Sequence, residues 1–192
     1  IIGAYFLWGI LPLYWKKLEA IPASINLTHR VFWSLIFLSV VLWLQGNLKK
    51  SFKELFQHKQ FFSRTITAAL VTINWLTYIW AMANGYIAES GLGYFICPLL
   101  IVFLAGIVFR ERLNASQIIG ISLVILGILL KILLVGKFPW VAILLALSWA
   151  LYCTIRKYQS SQPLSSLLQE VAIITPVLVV FMCISDFSSL FK

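Results

Sequence analysis

The stretch Ser90-Gly91-Leu92-Gly93-Tyr94-Phe95-Ile96-Cys97-Pro98-Leu99-Leu100-Ile101-Val102-Phe103-Leu104-Ala105-Gly106-Ile107-Val108-Phe109 decides the fold. It runs for 20 residues without a charge, about the length of α-helix that crosses a ~30 Å hydrocarbon core. In lipid the backbone N–H and C=O groups have no water to bond, so such a run must satisfy itself as a helix. Working outward, uncharged runs of similar length recur at Val31–Leu48, Thr65–Ala88, Leu113–Leu130 and Phe138–Ile155. A sixth, Val171–Ser185, is extended upstream by the uncharged stretch Tyr158–Gln169, and Ile1–Trp15 adds a seventh. The chain opens without Met and already inside an apolar run, so this first helix reads as clipped. The expectation is an all-α, multi-pass transmembrane helix bundle with seven helices.

Composition agrees. The chain is 61% hydrophobic and 11% charged, with a mean hydropathy of +0.96, whereas a soluble domain carries about 25% charge. A net charge of +9 raises the question of a polyanionic partner, and the placement of the charges answers it. The connections after the second, fourth and sixth spans hold nine basic residues: Lys49, Lys50, Lys53, Lys59, Arg64, Arg110, Arg112, Arg156 and Lys157. Those on the other side hold five: Lys16, Lys17, Lys131, Lys137 and Lys192. The richer side is expected to be cytoplasmic. The basic excess orients the protein in the bilayer, and no nucleic-acid partner is expected.

The chain also repeats itself. Trp8, Lys16, Pro22 and His29 return without gaps as Trp149, Lys157, Pro163 and Glu170, each 141 residues later. Five spans lie between equivalent points, and an odd number means that the second copy enters the membrane from the opposite side. Inverted repeats of this kind build many secondary transporters, with the substrate site at the repeat interface. The domain reading is a first five-helix repeat over 1–132 and an incomplete second repeat over 138–192.

Connections are short except Asn47–Arg64. There Leu48, Phe52, Leu55 and Phe56 fall at helical spacing against Lys49, Lys50, Lys53 and Lys59, a basic amphipathic stretch suited to the surface of an anionic leaflet. Asn84 to Glu89 reads as a tight turn, with Glu89 where the positive end of the fourth span's dipole favours a carboxylate. Arg110-Glu111-Arg112 closes that span and Asn114-Ala115-Ser116 opens the fifth. Gly120 and Gly127 share nearly one face of the fifth span, a face suited to close helix contact or to a homo-oligomer. Pro12, Pro98 and Pro176 fall within spans, where each removes a backbone hydrogen bond.

Few ionisable residues lie outside the connections: His29, Arg30, Glu89 and Glu170. A charge in hydrocarbon is costly enough to be a functional hypothesis by default. Arg30, with Trp33 and Phe37 on the same helical face, is expected either to snorkel to the outer headgroups or to face the bundle. In the second case it would pair with Glu89 and meet a polar or anionic group of a substrate. His29 is a candidate proton relay, since histidine changes charge near physiological pH; a hydrogen-bonded structural role is the other reading. Asn74 and Tyr78 share one face of the third span, suited to lining a cavity or to gluing helices. Tyr94 and Trp33 supply aromatic wall of the kind small-molecule sites use. Cys97, Cys153 and Cys183 sit in or beside apolar runs and read as packing thiols. No metal and no cofactor are expected.

Three segments bear a family resemblance: Asn26-Leu27-Thr28-His29-Arg30-Val31-Phe32-Trp33-Ser34, Asn74-Trp75-Leu76-Thr77-Tyr78-Ile79-Trp80-Ala81 and Glu89-Ser90-Gly91-Leu92-Gly93-Tyr94-Phe95. They resemble the RarD branch of the EamA family, in the drug/metabolite transporter superfamily. The resemblance implies a bacterial inner-membrane protein of ten helices in two five-helix repeats, a family associated by name with chloramphenicol sensitivity. It also implies that three helices would follow Lys192; five spans facing two would leave half the cavity without walls, so seven helices alone are expected to carry no flux. Cys97 stands where the family pattern suggests Asn.

The reading of function is transport of a small metabolite or drug by alternating access, with Arg30, Glu89, Asn74, Tyr78, Trp33 and Tyr94 contacting the substrate. The alternative is a non-transporting membrane subunit or a lipid flippase of related shape. An embedded enzyme would need clustered acids or a His beside an acid, and the six acidic residues stand singly.

Overall fold

The computed structural model describes residues 2–56, 58–110, 112–159 and 162–189. Glu111 and Lys192, counted above for their charge, lie outside the described residues, as do the side chains of Trp8 and Lys59. Among the described residues the chain is helical: α1 Ile2–Lys17, α2 Ala23–Leu44, α3 Leu48–Leu55, α4 His58–Ala83, α5 Ile87–Val108, α6 Ala115–Val135, α7 Trp140–Tyr158 and α8 Pro163–Ser189. Six of these (α2 and α4 to α8) are long and apolar enough to cross a membrane. The expected first span folds as α1, whose 16 residues extend about 24 Å, short of a ~30 Å core.

Helix ends follow local chemistry. Asn114 and Gln117 form a reciprocal capping box at the start of α6: Asn114 Oδ1 accepts from the Gln117 N–H, and Gln117 Oε1 from the Asn114 N–H, both at 2.8 Å. Gly136, at φ +66°, ends α6 in the left-handed conformation that favours glycine. Gly85, at φ +79°, makes the α4–α5 turn, and Asn84 Nδ2 donates to the Trp80 carbonyl at 2.8 Å.

Two expectations about charges need correction. Arg64, read as a connection residue, lies in the second turn of α4 and is 1% exposed. Lys131 likewise falls inside α6. Both errors come from ending a span at its first charge; a charge can enter a helix when a partner waits for it there.

The chain divides into two compact units: Ile1–Ala20 with Ile73–Thr154, and Ile21–Thr72 with Ile155–Lys192. In the first, Ile96, Cys97, Ala142 and Ala146 form a buried core, with Leu92, Leu100, Val124, Ile128 and Trp149 packed around it. Gly93 permits the close approach of α5 to α7, since a Cβ there would stand 3.0 Å from the Ala142 carbonyl oxygen. Gly120 lets α6 meet Leu99 of α5, whereas a Cβ at Gly127 would meet nothing within 4 Å. The Gly120 half of the expected association face is therefore used inside the chain.

In the second unit α2 packs along α8, and α3 against both. The buried residues of α2, Leu27, Thr28, Val31, Leu38 and Leu42, form one stripe. The first half of α2 lines a cavity with the second half of α8, while α3, just past the end of α2, is bonded to the first turns of α8. The two helices therefore run antiparallel. They begin 140 residues apart, and α1 and α7 end 141 residues apart, close to the offset of the repeated residues.

Candidate substrate site

In the first unit, Asn74 and Tyr78 point inward from α4, with 7% and 9% exposure. Asn74 Nδ2 donates to the Leu145 carbonyl and to Ser148 Oγ of α7, each at 2.9 Å. Ser148 Oγ donates onward to the Leu144 carbonyl at 2.7 Å. Of the two roles open to this amide, gluing helices is the one observed. Its one-turn neighbour Tyr78 meets Tyr94 of α5 edge-on, with ring centroids 6.0 Å apart. Tyr94 keeps 44% of its surface exposed, so this face carries an amide and two phenols beside open space. Trp80, Tyr86 and Trp140 cluster where α4 ends and α5 and α7 begin, with Trp80 stacked on Tyr86 at 5.4 Å and 5.3 Å from Trp140. Amphipathic rings suit the headgroup level of a bilayer.

Glu89 lies in the first turn of α5. Its observed counter-charge is Lys131 of α6, with Nζ 3.7 Å from Oε1, an ion pair too long to be a hydrogen bond. The second carboxylate oxygen, Oε2, is buried with no hydrogen-bond partner. Sequence reasoning missed Lys131 because it was counted with the connections.

The second unit holds Arg30, His29 and Trp33 on α2. Arg30 is half-buried, while His29 and Trp33 are exposed. A cavity of about 300 Å³ opens here between α2 and α8, lined by Thr28, His29, Phe32, Trp33, Thr175 and Met182 among others. The Thr28 and Thr175 hydroxyls donate to backbone carbonyls one turn back, at 2.9 and 2.7 Å. That leaves His29 as the strongest polar group on an otherwise apolar and aromatic wall.

A second polar cluster in this unit was not foreseen. The fully buried Glu170 accepts from Arg156 Nη1 at 3.1 Å; Arg156 Nη2 also donates to the Pro163 carbonyl at 3.4 Å. Arg64 donates to Gln159 Oε1, and Gln159 Nε2 to Ser63 Oγ at 2.7 Å. Gln169 Nε2 donates to the Ser51 carbonyl at 2.7 Å, and Ser51 Oγ to Ser165 Oγ at 2.8 Å. These bonds join α3, the start of α4, the end of α7 and the start of α8, the side whose basic residues predict the cytoplasm. The available signal was the spacing Ser165, Ser166, Gln169, Glu170, which puts four polar residues on adjoining turns of an otherwise apolar helix.

Residues 1–133 match the EamA-like transporter family. The chain belongs to that family. It is 36% identical to the uncharacterized transporter YojE of Bacillus subtilis over 91% of this chain and 59% of that protein. It is 37% identical to protein RarD of Escherichia coli over 98% of this chain and 64% of that protein. With the chloramphenicol-sensitive protein RarD of Pseudomonas aeruginosa it shares 31% over 92% and 60%. The chain thus spans about three fifths of the length of these curated relatives. No solved structure matches it.

This EamA-family chain, with six span-length helices, is a multi-pass protein of the bacterial inner membrane. In this EamA chain Cys97, the position where the family pattern suggested Asn, is buried against Ala142 and Ala146 in the α5–α7 core. It packs as a small apolar group and does not line either polar face. Among the described residues, no group of three His, Cys, Asp or Glu side chains is placed to hold a metal ion.

Proposed function

We propose that this chain is the greater part of a secondary transporter that moves a small metabolite or drug across the inner membrane by alternating access. Tyr78, Tyr94 and Glu89 are the substrate contacts of the first unit, with Asn74 joining the helices that carry them, and Arg30 and Trp33 are those of the second, with His29 as proton relay. One observation carries the reading. An amide and two phenols share a face within the spans, and in the first turn of α5 the half-buried Glu89 keeps one enclosed carboxylate oxygen without a hydrogen-bond partner. Polar groups at such depth are expensive unless they serve packing or a substrate. Asn74 serves packing, whereas Glu89 Oε2 has no hydrogen-bond partner and is the group offered to a ligand. The repeat offset, shared by α1 with α7 and by α2 with α8, supports an inverted architecture.

Chloramphenicol, an aromatic amide bearing hydroxyls, is the probe suggested by the name of the Pseudomonas relative. Labelled chloramphenicol flux is measured in proteoliposomes holding the natural full-length product of the gene. Saturable flux is expected, lowered at least tenfold by Glu89→Gln or Arg30→Ala while both variants stay folded. Unchanged flux in both would overturn the site. The wholly apolar cavity of about 280 Å³ along α5, α6 and Ile143 would suit a lipid flippase instead. Movement of labelled phospholipid, with no movement of the water-soluble probe, would establish that reading.

A further inference from the structure

Helix α3 is built into the molecule by one face. Gly46, at φ +70°, turns the chain sharply at the end of α2, and the Asn47 N–H returns to the Leu42 carbonyl at 2.9 Å. The helix therefore starts only four positions past the end of a membrane span. Ser51 and Leu55, one turn apart, are buried, and Ser51 is held to α8 by its hydroxyl and its carbonyl, through Ser165 and Gln169. At about 100° per residue, Lys49 and Lys53 then lie roughly 160° from Ser51 and Lys50 about 100° from it. All three lysines are exposed. Glu54 is the only acid in the helix, so the exposed surface is net positive. Around it stand exposed apolar side chains: Trp43 68%, Leu44 73%, Phe56 77% and Phe62 72%. Water would penalise that combination, but a lipid boundary favours it, with rings and aliphatic groups in the acyl margin and ammonium groups among phosphates.

We propose that the outward face of α3 is a binding site for the headgroup of an anionic phospholipid of the cytoplasmic leaflet, with Lys49, Lys50 and Lys53 as its phosphate contacts. The site is independent of any transported substrate. It is hinged to α8 through Ser51, so a bound headgroup bears on the inner end of that helix. Three ammonium groups facing one phosphate are expected to favour an anionic over a zwitterionic headgroup roughly 100-fold.

The test is native mass spectrometry of the natural full-length product of the gene, released from neutral detergent and titrated with phosphatidylglycerol or phosphatidylcholine. The first phosphatidylglycerol is expected to bind about 100-fold more tightly than phosphatidylcholine. The triple variant Lys49→Gln/Lys50→Gln/Lys53→Gln should lose that preference, while Lys16→Gln/Lys17→Gln at the end of α1 should keep it. All five side chains are exposed, so the variants fold. The proposal is overturned if the triple variant binds phosphatidylglycerol within threefold of the unmodified chain, if the Lys16/Lys17 variant loses as much, or if the unmodified chain does not distinguish the two lipids.

Discussion

Removing either member of the Arg156–Glu170 pair should destabilise the protein, and by unequal amounts. The carboxylate is fully enclosed, with 0% side-chain exposure, whereas the guanidinium keeps 18%. Arg156→Ala takes the counter-charge from a carboxylate that water cannot reach, and breaking a buried pair from one side costs about 3–5 kcal/mol. Glu170→Ala leaves a cation that can turn toward solvent and retains the Pro163 carbonyl, so its cost should fall nearer 1–3 kcal/mol, the range for a hydrogen-bonding group left unsatisfied. The double variant removes both charges and should cost less than the two single costs together, which is the signature of coupled partners. At about 2–4 °C per kcal/mol for a chain of this size, Arg156→Ala should lower the melting temperature in detergent by roughly 6–20 °C. The assay is thermal unfolding of the three variants, with equilibrium denaturant unfolding for the coupling energy. If Glu170→Ala were as damaging as Arg156→Ala, or if the double variant were additive, the enclosure argument would be wrong.

Asn74→Ala should lose both bonds from α4 to α7, each worth ~0.6–1.7 kcal/mol inside a membrane, and Asn74→Asp should be worse because it adds a charge facing the Leu145 carbonyl; unfolding in detergent checks the order. Gly93→Ala should cost about 1–3 kcal/mol, since its Cβ would stand 3.0 Å from backbone at Ala142. Gly127→Ala, where a Cβ meets nothing within 4 Å, should stay within about 0.5 kcal/mol; the same melting experiment separates them, and equal effects would refute the packing described.

The comparison of span and helix shows where sequence reasoning stopped short. The run Val31–Leu48 corresponds to α2 at Ala23–Leu44, so the helix starts eight residues earlier than its uncharged part. His29 and Arg30 sit within the first two turns, and an ionisable residue there does not break a helix. The basic amphipathic stretch after α2 was legible and does form a helix, but its docking by Ser51 was not: serine at that position reads as solvent-facing until α8 is placed beside it. Asn74 and Tyr78 were identified as a polar face from their spacing of four, yet nothing local named Ser148 as the partner. Glu89 is marked by its place at a helix start, but its pairing with Arg30, one of two readings of that arginine, overlooks Lys131, which the charge count places among the connections.

What the sequence by itself determined is the class of the protein, its spans and its family. Lipid forces every backbone group to bond within its own helix, so twenty apolar residues in a row leave one local solution. The partners of the buried polar groups were decided by tertiary structure alone. Arg64 finds Gln159 across 95 residues, Asn74 finds Ser148 across 74 and Gln169 finds Ser51 across 118. Such pairs depend on which helices lie side by side and how each is rotated, and in a membrane, where apolar faces are nearly interchangeable, hydrophobic pattern does not encode that rotation.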